Sequence, residues 1–218
     1  MMPTFGPQHL WFLLQAAGWT LALSAIAFIG GGLLGFGVAL ARIAPNRVLR
    51  GAASAYVQVV QGTPLLILLF MIYFGLAIAG FDQLPALVAA GAGLTIYASG
   101  FLGEIWRGCI EAVPRTQWEA AECLALSRWQ RLTRVVLPQA MRLATAPTVG
   151  FLVQIVKNTS LASVVGFVEL SQAGKLINNS VFQPFIIFVT VAIFYFAICY
   201  PLSAWSRGLE RRLNVGRR

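Results

Sequence analysis

Five apolar runs, parted by short polar stretches, constrain this chain more than any other feature. They fall near Trp11–Ala41, Ala52–Ala79, Leu84–Ile110, Met141–Val156 and Val181–Trp205. About 20 apolar residues cross a bilayer as a helix, and only the fourth run falls short of that. A lone strand in lipid would leave backbone N–H and C=O groups unpaired, so each run is expected to be helical. Composition agrees: charged residues make up 11% of the chain, against about 25% in a soluble domain, too few to cover a water-facing surface. The fold class expected is all-α: a polytopic membrane protein with five transmembrane helices and one domain covering residues 1–218.

The net charge of +9 would suggest a nucleic-acid partner in a soluble protein. Here the charges sit only between and beyond the apolar runs, so none is expected. Arg42, Arg47 and Arg50 lie between the first two runs. Arg107, Arg115, Arg128, Arg131, Arg134 and Arg142 surround the third connection, and Arg207, Arg211, Arg212, Arg217 and Arg218 fill the tail. The opposite connections hold Asp82 in one and Lys157, Glu169 and Lys175 in the other. Positive residues stay on the cytoplasmic side, which predicts an outside N-terminus and a cytoplasmic C-terminus, the parity of five spans. No Lys or Arg occurs in the first ten residues, so the first run is expected to stay in the mature protein.

Metal and catalytic chemistry find little here. Cys109, Cys123 and Cys199 are isolated and His9 is the single histidine, so no zinc-type spacing exists. No Ser–His pair or paired carboxylates can be placed, so no catalytic residue and no metal are expected.

The polar island from Arg107 to Ala140 must lie outside the bilayer core, with its loop at about residues 113–138. Thr116 and Glu119 fit a capping box that would start a helix over about Gln117–Leu124, and Ser127 with Gln130 fits a second box. Pro138 lacks a backbone donor and disfavours helix at Leu137, which predicts a break there. Two short helices with a bend near Ala125 result. They serve either as a hairpin whose arginines hold anionic lipid headgroups or as a docking knob for a cytoplasmic partner.

Within that island, Glu119-Ala120-Ala121 and Val135-x-Leu137-Pro138 resemble the EAA loop of bacterial ATP-binding-cassette import permeases. The family pattern carries Gly where this chain has Ala125. Other stretches are similar to its polar amino-acid branch: Gly62-Thr63-Pro64-Leu65 with Ile72-Tyr73-Phe74-Gly75, and Glu104-Ile105-x-Arg107-Gly108 with Val113-Pro114 and Gln117-Trp118. Lys157-x-Thr159-Ser160-Leu161 with Glu169-Leu170 is a further match, whereas Gln61 stands where the branch usually has Arg. The matches run from roughly residue 15 to 210. The resemblance implies a type I importer permease fold in the bacterial inner membrane, working by alternating access. Glu119, Ala120, Ala121, Ala125, Leu137 and Pro138 would couple it to cytoplasmic ATPase subunits. ATP and Mg would be bound by those subunits, with no cofactor in this chain, which has no GxxxxGK[ST] phosphate loop. A second permease subunit (homodimer or paralogue heterodimer), an extracytoplasmic solute-binding protein and membrane lipid are the other partners implied.

Polar residues within spans are candidates for the solute pathway. They are Gln58, Gln61 and Thr63 near the second run, Thr95 and Ser99 in the third, and Gln154, Lys157, Thr159 and Ser160 around the end of the fourth. Interhelical hydrogen bonding is the competing role for each. Glu104 and Arg107 are three apart and are expected to pair. Gly31 and Gly35 form a small-xxx-small pair that suits close helix packing within the chain. Trp106, Trp118, Trp129 and Trp205 suit an interfacial belt, or for Trp118 and Trp129 a partner contact. The alternative function is an ion-coupled carrier or channel without an ATPase, which would be expected to bury a carboxylate or His in a span.

Overall fold

The computed structural model describes residues 4–78, 80 and 85–214, with the backbone alone at 76 and 212–214. Ala79, Asp82, Leu84, Arg217 and Arg218, on which expectations above rest, lie outside the described residues. The order is α1 (Pro7–Arg42), α2 (Arg47–Gly62), α3 (Leu65–Ile78), α4 (Ala86–Glu111), α5 (Arg115–Cys123) and α6 (Arg128–Gln130). A π-helical turn over Arg131–Val136 leads into α7 (Leu137–Asn158), and a 3₁₀ stretch over Thr159–Val165 follows; α8 (Leu170–Val181) and α9 (Pro184–Asn214) complete the chain. Every described element is helical.

Among the described residues, four stretches are long and apolar enough to cross a membrane: Pro7–Arg42, Ala86–Glu111, Arg128–Val165 and Pro184–Arg211. The run expected as one second span, Ala52–Ala79, is instead a broken pair, with Arg47–Gly62 and Leu65–Gly75 bent by 104°. At 1.5 Å per residue the 16-residue α2 is about 24 Å long, short of a hydrocarbon core of about 30 Å. Pro64 causes the break. It holds Thr63 extended at φ −100, ψ 127. The carbonyl of Val59 is met by the N–H of Thr63 at 3.1 Å and its hydroxyl at 2.7 Å. A kink follows from one proline; a right-angle turn needs both halves to pack separately, as they do on α4.

Small residues make α4 the hub. A Cβ on Gly31 of α1 would sit 2.4 Å from the Cβ of Ala98, and one on Gly103 would sit 2.8 Å from Val38 Cγ1. Gly31 and Gly35 therefore do seat α1 on α4 within the chain. On its other faces α4 offers Gly93 to Leu69 of α3 and Gly100 to Val60 of α2, with hypothetical Cβ distances of 2.6 and 2.7 Å. Leu23, Ala27, Leu94, Ala98, Leu102 and Ile155 form the fully buried centre. A second apolar cluster, with Leu13, Leu170, Ala173 and Ile187, clamps α8 between α1 and α9.

The fourth run is longer than Met141–Val156, because Leu137-Pro138 does not break the helix. Pro138 falls in the first turn of α7, where a missing N–H costs least. The wide turn of Arg131–Val136 directly before it shifts the hydrogen-bond register that the proline ring would otherwise obstruct.

Candidate functional site

The loop between α4 and α7 is built as two short helices and a turn. α5 begins at Arg115, on Pro114 as N-cap and without a side-chain cap. The Thr116–Glu119 box is thus not formed: Pro114, at φ −53, starts the helix itself and leaves Thr116 inside its first turn. The Ser127–Gln130 box is formed, with Ser127 N–H donating to Gln130 Oε1 at 2.9 Å and Gln130 N–H donating to Ser127 Oγ at 3.4 Å.

Between the helices the chain turns on Ala125, at φ 54. Leu126 N–H donates to Ala121 O at 3.2 Å and Ala125 N–H to Glu122 O at 2.8 Å. That pair of bonds is a Schellman turn, whose central residue must be left-handed and is usually Gly. Alanine therefore takes the glycine geometry, at a cost of roughly 1–2 kcal/mol.

Beneath the loop a small core of Ile110, Val113, Leu132, Val136 and Ala140 joins it to α4 and α7, with Leu40, Ile43 and Trp118 packed on it. Ala121 is buried, and Glu122 pairs with Arg131 at 2.7 Å. Arg128 Nη2 donates to Ile43 O at 2.9 Å, tying the loop to the α1–α2 turn. The outer face differs. Glu119, Ala120 and Ala125 are exposed, and so are Leu124 at 74% and Trp129 at 64%. Pro138 is exposed and Leu137 half-buried, both at the start of α7.

At the same end of the bundle an ionic network joins three helices. Glu104 of α4 pairs with Arg107, as expected, and with Arg42 of α1 at 3.2 Å. Arg42 Nη1 also donates to Ser54 Oγ of α2 at 2.6 Å, and Arg107 pairs with Glu111. Trp106 Nε1–H donates to Thr148 Oγ1 at 2.8 Å, linking α4 to α7.

The candidate pathway residues separate into two groups. Gln58 and Gln61 are exposed on α2, with amide contacts to Ser54 Oγ at 3.5 Å and Gly100 O at 3.4 Å, and Thr63 sits at the break. Lys157 and Ser160 line a cavity of about 320 Å³ together with Ser171 of α8 and Tyr195 of α9. Gln154, a turn before Lys157, is exposed and donates to Asn158 Oδ1 at 3.1 Å. Thr159 is fully buried and donates to Val156 O at 2.7 Å, so it packs inside. Ser99 is likewise buried, bonded to Tyr56 at 2.6 Å.

Sequence reasoning passed over Glu169 as a loop charge. It is fully buried. Its carboxylate accepts from Ser171 N–H at 2.9 Å, Gln172 N–H at 2.8 Å and Tyr195 Oη at 2.7 Å, which caps α8 and ties it to α9. The available signal was position: Glu169 directly precedes the helical apolar series Leu170, Ala173, Ile177.

Residues 31–215 match the family model described as binding-protein-dependent transport system inner membrane component. The chain is 34% identical to an L-cystine transport system permease of Bacillus subtilis, over 97% of this chain and 94% of the relative. It is 32% identical to a glutamine transport system permease of Escherichia coli, over 93% of each. Among solved structures it is similar to an amino acid ABC transporter crystallised with histidines, with TM-score 0.88 and 29% identity over 94% of this chain and 95% of that one. The inward-facing MetNI methionine ABC transporter shares the fold, with TM-score 0.77 and 22% identity over 96% of this chain and 99% of that one.

Proposed function

The chain belongs to the family of binding-protein-dependent transport system inner membrane components, and from that premise we propose that it is the permease subunit of an ATP-driven importer of polar amino acids. It is a multi-pass membrane transport subunit, and the ATPase and the solute-binding protein of such importers are separate partners. ATP and Mg belong on the ATPase, and a second permease subunit, identical or paralogous, completes the pathway. The arginine-rich end faces the cytoplasm and the N-terminus faces outward.

One observation supports the coupling role most: the outer ridge of the loop. Leu124 and Trp129 are large apolar side chains at 74% and 64% exposure on an otherwise polar loop, and exposed apolar clusters rimmed by polar groups mark protein interfaces. Glu119 has no ion-pair partner among the described residues, so its charge is free for another chain. The small core and the Arg128–Ile43 contact make the ridge rigid with α1, α4 and α7. A push on the ridge is thereby delivered to helices that border the pathway. The solute path itself runs past Gln58 and Gln61 on one side and Gln154, Lys157 and Ser160 on the other, and Lys157 supplies a cation for a carboxylate.

An ion-coupled carrier needs a buried carboxylate free to titrate. Glu169 is the fully buried carboxylate among the described residues, and its oxygens are engaged by two backbone N–H groups and a hydroxyl. Uptake decides between the readings. In proteoliposomes with the ATPase and binding protein, labelled glutamine or cystine should accumulate only when ATP is supplied on the ATPase side. Accumulation that persists without ATP and follows an ion gradient would overturn the importer reading.

A further inference from the structure

Two cavities meet at the arginine-rich end of the bundle. One, of about 510 Å³, is an apolar groove between α1, α4 and α7, walled by Phe36, Trp106, Met141, Ala144 and Val149. The other, of about 900 Å³, lies between the α1–α2 turn and the loop, and Arg50, Arg115 and Arg128 line it. Ile110 lines both. Phe36 of the groove and Leu40 of the cleft lie about one turn apart on α1. Groove and cleft thus adjoin along α1 and α4, with Ile110 as their common wall.

Arg42 also lines the cleft and is neutralised by Glu104; Arg50, Arg115 and Arg128 form no ion pair among the described residues. Arg50 and Arg128 each give one N–H to a backbone carbonyl, of Ala44 at 3.4 Å and Ile43 at 2.9 Å. Glu111 also borders the cleft, but its carboxylate pairs with Arg107. The groove's rim is held open by Trp106, fixed by its bond to Thr148 and set edge-on to Phe36 with ring centroids 6.2 Å apart. Met141, on the groove's outer side, is 67% exposed.

We propose that groove and cleft together hold one anionic phospholipid, its acyl chain between Phe36, Trp106 and Met141 and its phosphate among Arg50, Arg115 and Arg128. A soluble partner could meet the cleft, but it could not fill an apolar groove set between spans. An amphiphile with an anionic head fits both, and guanidinium–phosphate hydrogen bonds are charge-assisted. The proposal rests on the orientation given above, in which this end meets the anionic inner leaflet.

The test uses the purified full-length permease in detergent, titrated with phosphatidylglycerol and phosphatidylethanolamine in equal amounts and read by native mass spectrometry. One phosphatidylglycerol per chain should be retained in preference. Each arginine is expected to contribute roughly fivefold to that preference, so Arg50→Gln with Arg115→Gln should lower it by roughly twenty-five-fold. Thr145→Phe, at the groove wall, should expel both lipids. On the unmodified protein, phosphatidylglycerol brominated on its acyl chain should quench tryptophan emission more than the brominated ethanolamine lipid, which needs no variant to fold. Equal retention or equal quenching by the two lipids, an unchanged preference in the double variant, or displacement of the lipid by added ATPase subunit would each overturn the proposal. Detergent removes the leaflets from the measurement, so this result is independent of whether the orientation is correct.

Discussion

The loop between α4 and α7 and the connection between α7 and α9 turn the chain by one device and are then held in opposite ways. In the first, Leu126 and Ala125 bond back to Ala121 and Glu122; in the second, Phe167 and Gly166 bond back to Ala162 and Ser163, both at 3.2 Å. The left-handed residue is Ala125 at φ 54 in the one and Gly166 at φ 81 in the other. After Gly166 the chain turns inward: Val168 is still exposed, but Glu169, Leu170 and Ala173 are fully enclosed. Around Ala125 it stays at the surface, with Leu124 before it and Trp129 after it bare. A buried polar segment must satisfy its own hydrogen bonds, and Glu169 does so for α8. The exposed segment leaves Leu124 and Trp129 bare, and the Glu119 carboxylate has no ion-pair partner among the described residues. One turn is completed from within the chain, whereas the other has the features of a turn completed by a partner.

The largest expected contrast lies between the two glutamates. Glu169→Ala removes the acceptor of two backbone N–H groups and a tyrosine hydroxyl, which should cost about 3 kcal/mol or more. Glu119→Ala, on the exposed ridge, should change stability by less than about 0.5 kcal/mol. Thermal unfolding in detergent reads both, and equal losses would erase the contrast. A second pair of variants should show opposite signs. Gly166→Ala forces alanine to φ 81 and should lower stability by about 1 kcal/mol, whereas Ala125→Gly should raise it by a similar or smaller amount. Smallest is Glu122→Gln. The partner Arg131 is 20% exposed and Glu122 67%, so losing this pair should cost less than about 1 kcal/mol, visible only as a small shift in Tm.

Local signals were legible in the sequence where their causes are local. Long apolar runs located the first, third and fifth spans, and the Ser127–Gln130 box placed α6 because both partners lie within one turn. The Thr116–Glu119 box failed because Pro114, two residues earlier, had already started α5. Pro138 read as a breaker because its missing donor is local, whereas the π turn that accommodates it depends on how Leu132 and Val136 pack below. Pro64 by itself accounts for a kink, but the 104° bend depends on α4 offering Gly93 and Gly100 to different helices. Glu169 looked like a loop charge because its burial comes from α1 and α9, which are distant in sequence. Of the candidate pathway residues, Lys157 and Ser160 adjoin within one helical turn, Ser160 Oγ donating to Lys157 O at 2.8 Å, but the cavity they line is completed by Ser171 and Tyr195, whose contribution no local pattern reveals.

The most direct measurement of the coupling role is the affinity of the partner ATPase subunit for the purified permease carrying Glu119→Arg, taken with its Tm. Docking through the outer ridge predicts at least a tenfold weaker Kd, about 1.4 kcal/mol, with Tm unchanged from the wild type. Unaltered affinity in a protein that melts normally would contradict a docking role for this loop.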